Sequence, residues 1–306
     1  MTAAVEMSGV RKAFRGKEAL RGVEWSVPEA SVCGLIGANG AGKTTLLRLA
    51  LGLVRADAGS VVVLGERLGL ENASLRERVH YVASDRAMAP GYRVDEWVRY
   101  ASLAYPRWDT VRAGRLLGAL ELDLRRGVGE LSAGQRTSLQ IVVAAASRPD
   151  LLLLDEPTNG LDVVVKTQVL QLVIDMAAAE GTTMILASHH IEDVERLADR
   201  LAVLYDGHFV LQGDLDAIKA RMHRLQVVIP GDWPVELEKD PTVVRVERQG
   251  KVAVLTVDGP PEPVAELCRR HGAVLVESID LDLAEVFRIV LGKEGYSRAQ
   301  LQWNVE

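Results

Sequence analysis

The stretch Gly37-Ala38-Asn39-Gly40-Ala41-Gly42-Lys43-Thr44-Thr45 follows the apolar run Val32-Cys33-Gly34-Leu35-Ile36 and precedes Leu46-Leu47-Arg48-Leu49-Ala50-Leu51. Apolar residues recur at helical spacing in the last segment, so the spacing predicts strand, glycine loop and helix, with G-x-x-x-x-G-K-[ST] in the loop. Glycine allows positive φ, which lets successive N–H groups converge on an anion, and the helix aims its positive dipole end at the same point. The cradle expected for a polyphosphate comprises Gly37, Asn39, Gly40, Ala41, Gly42, Lys43, Thr44 and Thr45. Lys43 is a cation in a first helical turn, an unfavourable place unless an anion sits there too. Thr44 offers a hydroxyl where a phosphate-bound Mg²⁺ needs an oxygen ligand. An ordinary glycine turn is the bland alternative; on this stretch alone kinase, GTPase and motor ATPase all fit.

The chain has 306 residues, 48% of them hydrophobic and 25% charged, enough for one large domain and a smaller one. A net charge of −6 argues against broad nucleic-acid binding. Cys33 and Cys268 are far apart and lie in apolar patterns, which predicts buried thiols in a reducing compartment. The start Met1-Thr2-Ala3-Ala4-Val5-Glu6 has none of the regions of a signal peptide, and no apolar run is long enough to span a membrane. A membrane role is therefore expected only through a partner.

Residues 3–30 read as short strands turning at Arg15-Gly16 and Pro28-Glu29. Phe14 stands in a polar turn, either to stack on a flat base or to plug the small sheet. Ser60–Gly65 and Val79–Ala83 read as strands, and helices broken at Tyr105-Pro106-Arg107 fill the span from about Asp95 to Leu124. Trp97, Tyr100, Tyr105 and Trp108 cluster there, as a small helical core or as a docking surface. Ser132 and Gln135 form an S-x-x-Q capping box that opens the next helix, but capping leaves Gly134 unexplained.

Leu151-Leu152-Leu153-Leu154 is a strand buried on both faces, as in a parallel sheet, and it ends in Asp155-Glu156. Ligands of open α/β sheets bind at carboxyl strand ends. Asp155 is placed to hold Mg²⁺, and Glu156 to orient and deprotonate a water. Thr183–Ser188 is another buried strand ending at His189-His190, which makes His189 a candidate contact to a γ-phosphate.

In that order the motifs resemble the nucleotide-binding subunit of ATP-binding-cassette (ABC) transporters, over about residues 3–222. Gly37 to Thr44 match the Walker A loop, Leu131 to Gln135 the LSGGQ signature with Ala133 for one glycine, and Leu151 to Glu156 Walker B with the catalytic glutamate. Gly160-Leu161-Asp162 match the D-loop, His189 the switch histidine, and Phe14 the aromatic that stacks on adenine. The resemblance implies an α/β fold: a P-loop NTPase parallel-sheet core, an N-terminal antiparallel β subdomain and a helical signature subdomain at about 86–143. It implies an ATPase in which Glu156, His189 and Lys43 are catalytic. ATP is bound by Phe14, the loop, Ser132, Gly134, Gln135 and Asp162, and Mg²⁺ by Thr44 and Asp155. It further implies a head-to-tail homodimer, or a heterodimer with another ABC subunit, that sandwiches two ATP molecules and drives a separate permease from the cytoplasmic face of the membrane. Ser84-Asp85 stand where the family has a glutamine; Asp85 is expected to reach the metal in its place.

Beyond residue 222 the motifs stop, and residues 223–306 read as a small α+β accessory domain with a polar tail. Leu281-Asp282-Leu283-Ala284-Glu285-Val286-Phe287 resembles an ending common in exporter cassettes, so export is the expected direction. The alternative is a soluble ABC-type ATPase acting on nucleic acid or the ribosome, which usually carries paired cassettes or long insertions. The short interval from Lys43 to Leu131 and the negative charge speak against it. A P-loop kinase leaves Leu131 to Gln135 without a purpose.

Overall fold

The computed structural model describes residues 2–68, 73–83, 88 and 91–293, so Ser84, Asp85 and the polar tail lie outside the described residues. Its contacts divide into two compact units, Met1–Gln212 and Gly213–Glu306. The first unit opens with a long hairpin, β1 (Ala3–Phe14) and β2 (Lys17–Pro28), where shorter strands were expected. Arg15 and Gly16 both have positive φ, 49° and 81°, the twist that a two-residue hairpin turn requires. β1 also pairs antiparallel with β4 (Ala58–Val63), and β5 (Glu66–Arg67) completes a sheet ordered β2-β1-β4-β5.

The second sheet contains β3 (Val32–Gly37), β6 (Val79–Val82), β7 (Leu151–Asp155), β8 (Thr183–Ser188), β9 (Arg200–Tyr205) and β10 (His208–Asp214). Its order is β10-β9-β3-β8-β7-β6, and the strands from β9 to β6 run parallel. Every position of β3, β7 and β8 is buried, which accounts for their uninterrupted apolar runs. Helix α1 (Lys43–Ala50) contributes Leu46, Leu47 and Leu49 to one core shared with Val5, Met7 and Trp25 of the hairpin and Leu151, Leu153 and Ile185 of the parallel sheet. The glycine loop is thus anchored on both sides by apolar packing. A short α2 (Ala73–Arg78) leads into β6.

Three helices, α3 (Val94–Ala104), α4 (Thr110–Ala119) and α5 (Ala133–Ser147), enclose a separate core of Val94, Leu117, Leu122, Leu131, Leu139 and Val142. The aromatic cluster is divided. Trp97 packs on this core, whereas Tyr100 is 59% exposed and groups with Tyr92 and Trp97 at 6.3 and 6.0 Å between rings. Tyr105 turns away to lie 5.1 Å from the ring of His80. Helices α6 (Val163–Glu180) and α7 (Ile191–Leu197) follow β7 and β8.

His80 is buried within β6. Ser147 donates its hydroxyl proton to the Ala144 carbonyl at 2.8 Å, so its oxygen accepts from His80 Nδ1–H at 3.2 Å. Burial holds the imidazole neutral and lowers its pKa to about 4. The unfolded chain binds that proton near pH 6.5 and the folded chain does not, so stability falls as pH drops through this window. The expected loss between pH 7 and pH 4 from this residue is about 3 kcal/mol. Urea midpoints should therefore fall less on acidification in His80→Gln than in the unaltered protein; parallel slopes would remove His80 from the acid response.

The second unit comprises α8 (Leu215–Arg221), β11 (Met222–Val228), α9 (Glu236–Lys239), β12 (Val243–Gln249), β13 (Val252–Asp258), α10 (Glu262–Arg270), β14 (Leu275–Asp280) and α11 (Leu283–Lys293). Its sheet is antiparallel with order β12-β13-β11-β14, an α+β arrangement over Leu225, Val227, Leu255, Val257, Val264 and Cys268. Helix α8 belongs to this unit. Cys33 and Cys268 are buried free thiols, and burial pushes their pKa values up to about 12 and about 11.

Candidate functional site

Strands β3, β8 and β7 are neighbours, and their register pairs Ile36 with Ser188 and Ala187 with Asp155. The glycine loop, His189 and Asp155-Glu156 therefore leave the sheet side by side at its carboxyl edge. In the loop, Ala41 N–H donates to the Ala38 carbonyl at 3.0 Å, and Gly42 caps α1 at φ 113°. A Cβ on Gly42 would come within 2.7 Å of the Ala19 carbonyl, so no other residue fits there.

Lys43 is 6% exposed. Its Nζ donates to the Gly37 carbonyl at 2.7 Å and lies 3.3 Å from Glu156 Oε1. An ammonium has three donors, so one N–H remains for a further oxygen. Thr44 Oγ1 lies 3.0 and 3.2 Å from the two oxygens of fully buried Asp155. Tyr81 of β6 donates its hydroxyl to the same carboxylate at 2.9 Å; burial, then the Asp155 charge, raises the phenol pKa.

Consecutive residues of a strand face opposite sides. Glu156 escapes that rule through a left-handed backbone, φ 51°, unusual for a residue with a side chain. The turn brings both carboxylates to one site: Asp155 to Thr44, Glu156 to Lys43 and His189. Glu156 Oε2 lies 2.6 Å from His189 Nδ1 and accepts from His189 N–H at 3.3 Å. His190 stands 4.0 Å from His189 between rings, and its pKa is lowered first by burial and then by His189 and Lys166.

The signature residues form a second cluster. Ser132 Oγ accepts from Gln135 N–H at 3.1 Å and Gln135 Oε1 from Ser132 N–H at 3.0 Å, so the capping box forms as the spacing predicts. Gly134 now has a reason: a Cβ there would stand 3.2 Å from Val165 Cγ1, and the glycine lets α6 approach α5. Asp162 caps α6, accepting from Val164 and Val165 N–H at 3.0 Å each.

Phe14 ends β1 and is 46% exposed, so it does not plug the sheet. Lys12 Nζ lies 5.4 Å from its ring centre, and the same lysine pairs with Asp57 at 2.6 Å.

The structure thus joins Gly37, Lys43, Thr44, Asp155, Glu156 and His189 in direct contact. Ser132, Gly134 and Gln135 stand apart with Val165 and the start of α6. Asn39 and Gly40 are exposed in the loop, and Thr45 lies in α1. Asp85 lies outside the described residues. Motif reading missed Tyr81, whose only sequence signal is a hydroxyl-bearing residue within the apolar run Val79–Val82. It also missed Asp193 of α7, which accepts from Thr158 Oγ1 at 2.7 Å and pairs with Lys166 at 2.8 Å.

The ABC transporter family matches residues 20–159. Nod factor export ATP-binding protein I of Rhizobium sp. (strain N33) is 33% identical, covering 95% of this chain and 98% of the relative. The daunorubicin/doxorubicin resistance ATP-binding protein DrrA of Streptomyces peucetius is 30% identical, covering 97% and 95%. Among solved structures, the dimeric ATP-binding cassette MJ0796 bound to ADP and Pi shares the fold with TM-score 0.63 and 23% identity, covering 69% of this chain and 98% of that one. With the phosphate loop, the paired carboxylates and the histidine converging as described, this chain belongs to the ABC transporter family as an ATP-binding subunit with ATPase activity.

Proposed function

We propose that this chain binds ATP with Mg²⁺, closes as a dimer over two nucleotides, and couples hydrolysis to export through a separate membrane permease. The observation that carries the reading is the contact of Glu156 with both Lys43 and His189 at the carboxyl edge of the sheet. Lys43 and the loop amides grip the phosphate chain, and Phe14 stacks on the adenine. Glu156 takes a proton from the attacking water as the new oxygen–phosphorus bond forms and the bond to the leaving ADP oxygen breaks. His189, held by Glu156, steadies the γ-phosphate.

Thr44 and Asp155 fit Mg²⁺: both are hard oxygen donors, already converging within 3.0 Å. Among the described residues no cluster of three His, Cys, Asp or Glu forms a cation cage, so nucleotide phosphates would complete the coordination. When bound, Mg²⁺ supplies charge neutralisation of the phosphates. Ser132, Gly134, Gln135 and Asp162 of a second subunit face the first subunit's nucleotide; in a homodimer both sites are identical.

The subunit is carried on the cytoplasmic face of the membrane by its permease; among the described residues no helix is long and apolar enough to cross a membrane. Relatives named for export and drug resistance support outward transport and do not favour action on nucleic acid or the ribosome. Affinity purification from detergent-solubilised cells should bring down a multi-span membrane protein. Recovery with ribosomes or nucleic acid instead would overturn the transport reading.

A further inference from the structure

Asp193 is 3% exposed, and none of the roles described so far uses it. A buried carboxylate is unfavourable unless its oxygens are paired and hydrogen-bonded. Here the two oxygens go to two different segments: Oδ2 accepts from Thr158 Oγ1 at 2.7 Å, and Oδ1 lies 2.8 Å from Lys166 Nζ. Thr158 follows Glu156 closely along the chain and is itself buried. Lys166 lies one turn into the helix that Asp162 caps, its N–H bonded to the Asp162 carbonyl at 2.9 Å. Asp193 lies in α7, the helix that begins just after His189.

Three segments that each carry a functional residue therefore meet on one carboxylate. The geometry points to Asp193 as a positioning residue, which with Thr158 and Lys166 ties Glu156, Asp162 and His189 into one unit. This rests on the reading of Glu156 and His189 as the groups that act on ATP. The 2.6 Å contact between those two side chains spans β7 and β8; α7 itself is tied to the end of β8 by His190 N–H on Ser188 Oγ at 2.9 Å and packs Val194 closely against Gly34 of β3. Asp193 adds the tie to the other strand, fastening α7 to the chain leaving β7 through Thr158. Lys166 extends the tie to the start of α6, so Asp162 is referred to the same point. A shift of well under the length of a hydrogen bond at α7 would part Glu156 from His189, while Lys43 and Thr44, on α1, would keep their places.

The test uses the full chain, comparing turnover with nucleotide binding. Asp193→Asn keeps the size and the Thr158 bond but turns an uncharged group toward Lys166. Its kcat should fall roughly 10- to 100-fold, a loss typical of misplaced reacting groups, with ATP affinity unchanged within about twofold. Lys166→Met should show the same split, Lys166→Arg should restore most of the rate, and the double variant should be no slower than Lys166→Met, because both remove one tie. A plain stabilising ion pair would lower Tm and leave kcat per folded molecule unaltered. Full turnover in Lys166→Met, additive losses, or parallel loss of binding and rate would each overturn the proposal. Should Asp193→Asn not fold, Lys166→Met, whose lysine is partly exposed, carries the test alone. Glu156→Gln in the same assay separates the two layers: normal turnover there sinks the reading of Glu156, whereas an inactive Glu156→Gln beside a fully active Lys166→Met sinks only the role of Asp193.

Discussion

Glu156→Gln is expected to bind ATP and to turn it over hardly at all. The amide matches the carboxylate in size, so the left-handed backbone at this position and the packing around it are undisturbed. It cannot accept a proton from water, and loss of a general base costs roughly 10²- to 10⁴-fold in rate. The substitution also removes the anion 3.3 Å from Lys43 Nζ, leaving that buried ammonium to seek its counter-charge in the phosphates. Tighter nucleotide retention and a longer-lived dimer should accompany the lost turnover. Steady-state phosphate release and size-exclusion chromatography with ATP measure the two halves; normal hydrolysis would remove Glu156 from the role of base.

Lys43→Ala should fail one step earlier, at binding. The lysine is nearly inaccessible and its Nζ is oriented by the Gly37 carbonyl, so its charge is aimed before any phosphate arrives. A charge-assisted hydrogen bond of this kind contributes about 1.5–3 kcal/mol, which corresponds to a loss of roughly 10- to 150-fold in affinity. The truncation also strips Glu156 of its cationic neighbour while leaving its contact with His189. Titration with a fluorescent ATP analogue should show the weakened affinity with the fold retained by circular dichroism. Undiminished affinity would mean that the glycine loop grips something other than a phosphate chain. The two substitutions therefore part the site into grip and chemistry.

Much of this was legible in the sequence because the motifs report backbone needs. Gly37 to Thr44 name a loop and a helix start, and the buried runs at Val32, Leu151 and Thr183 name three parallel strands whose ends must be close. The N-terminal strands were read as short, whereas β1 and β2 run 12 residues each, straight through Gly9 and Gly22. The two glycines have φ of 60° and 80°, and the β1 register shifts between Met7 and Val10. These glycines serve a bulged strand and do not end it. Tyr81 could not be placed without knowing that β6 borders β7, since a phenol in a buried strand says nothing about its neighbour. Asp193 was hidden for a related reason. In Ile191-Glu192-Asp193-Val194-Glu195 three acids share a short helix, and only tertiary packing shows which one turns inward. The left-handed turn at Glu156 has no sequence signature, though without it Asp155 and Glu156 would face opposite sides of the sheet.

The common edge of β3, β7 and β8 also decides where motion can occur. Their amides are locked in a ladder with no exposed position, so loosening the floor of the pocket would cost close to the unfolding free energy of the unit. A catalytic floor that stiff works as an anvil. Whatever stroke ATP drives must come from whole pieces swinging against it, and the chemistry can stay registered while the machine around it moves.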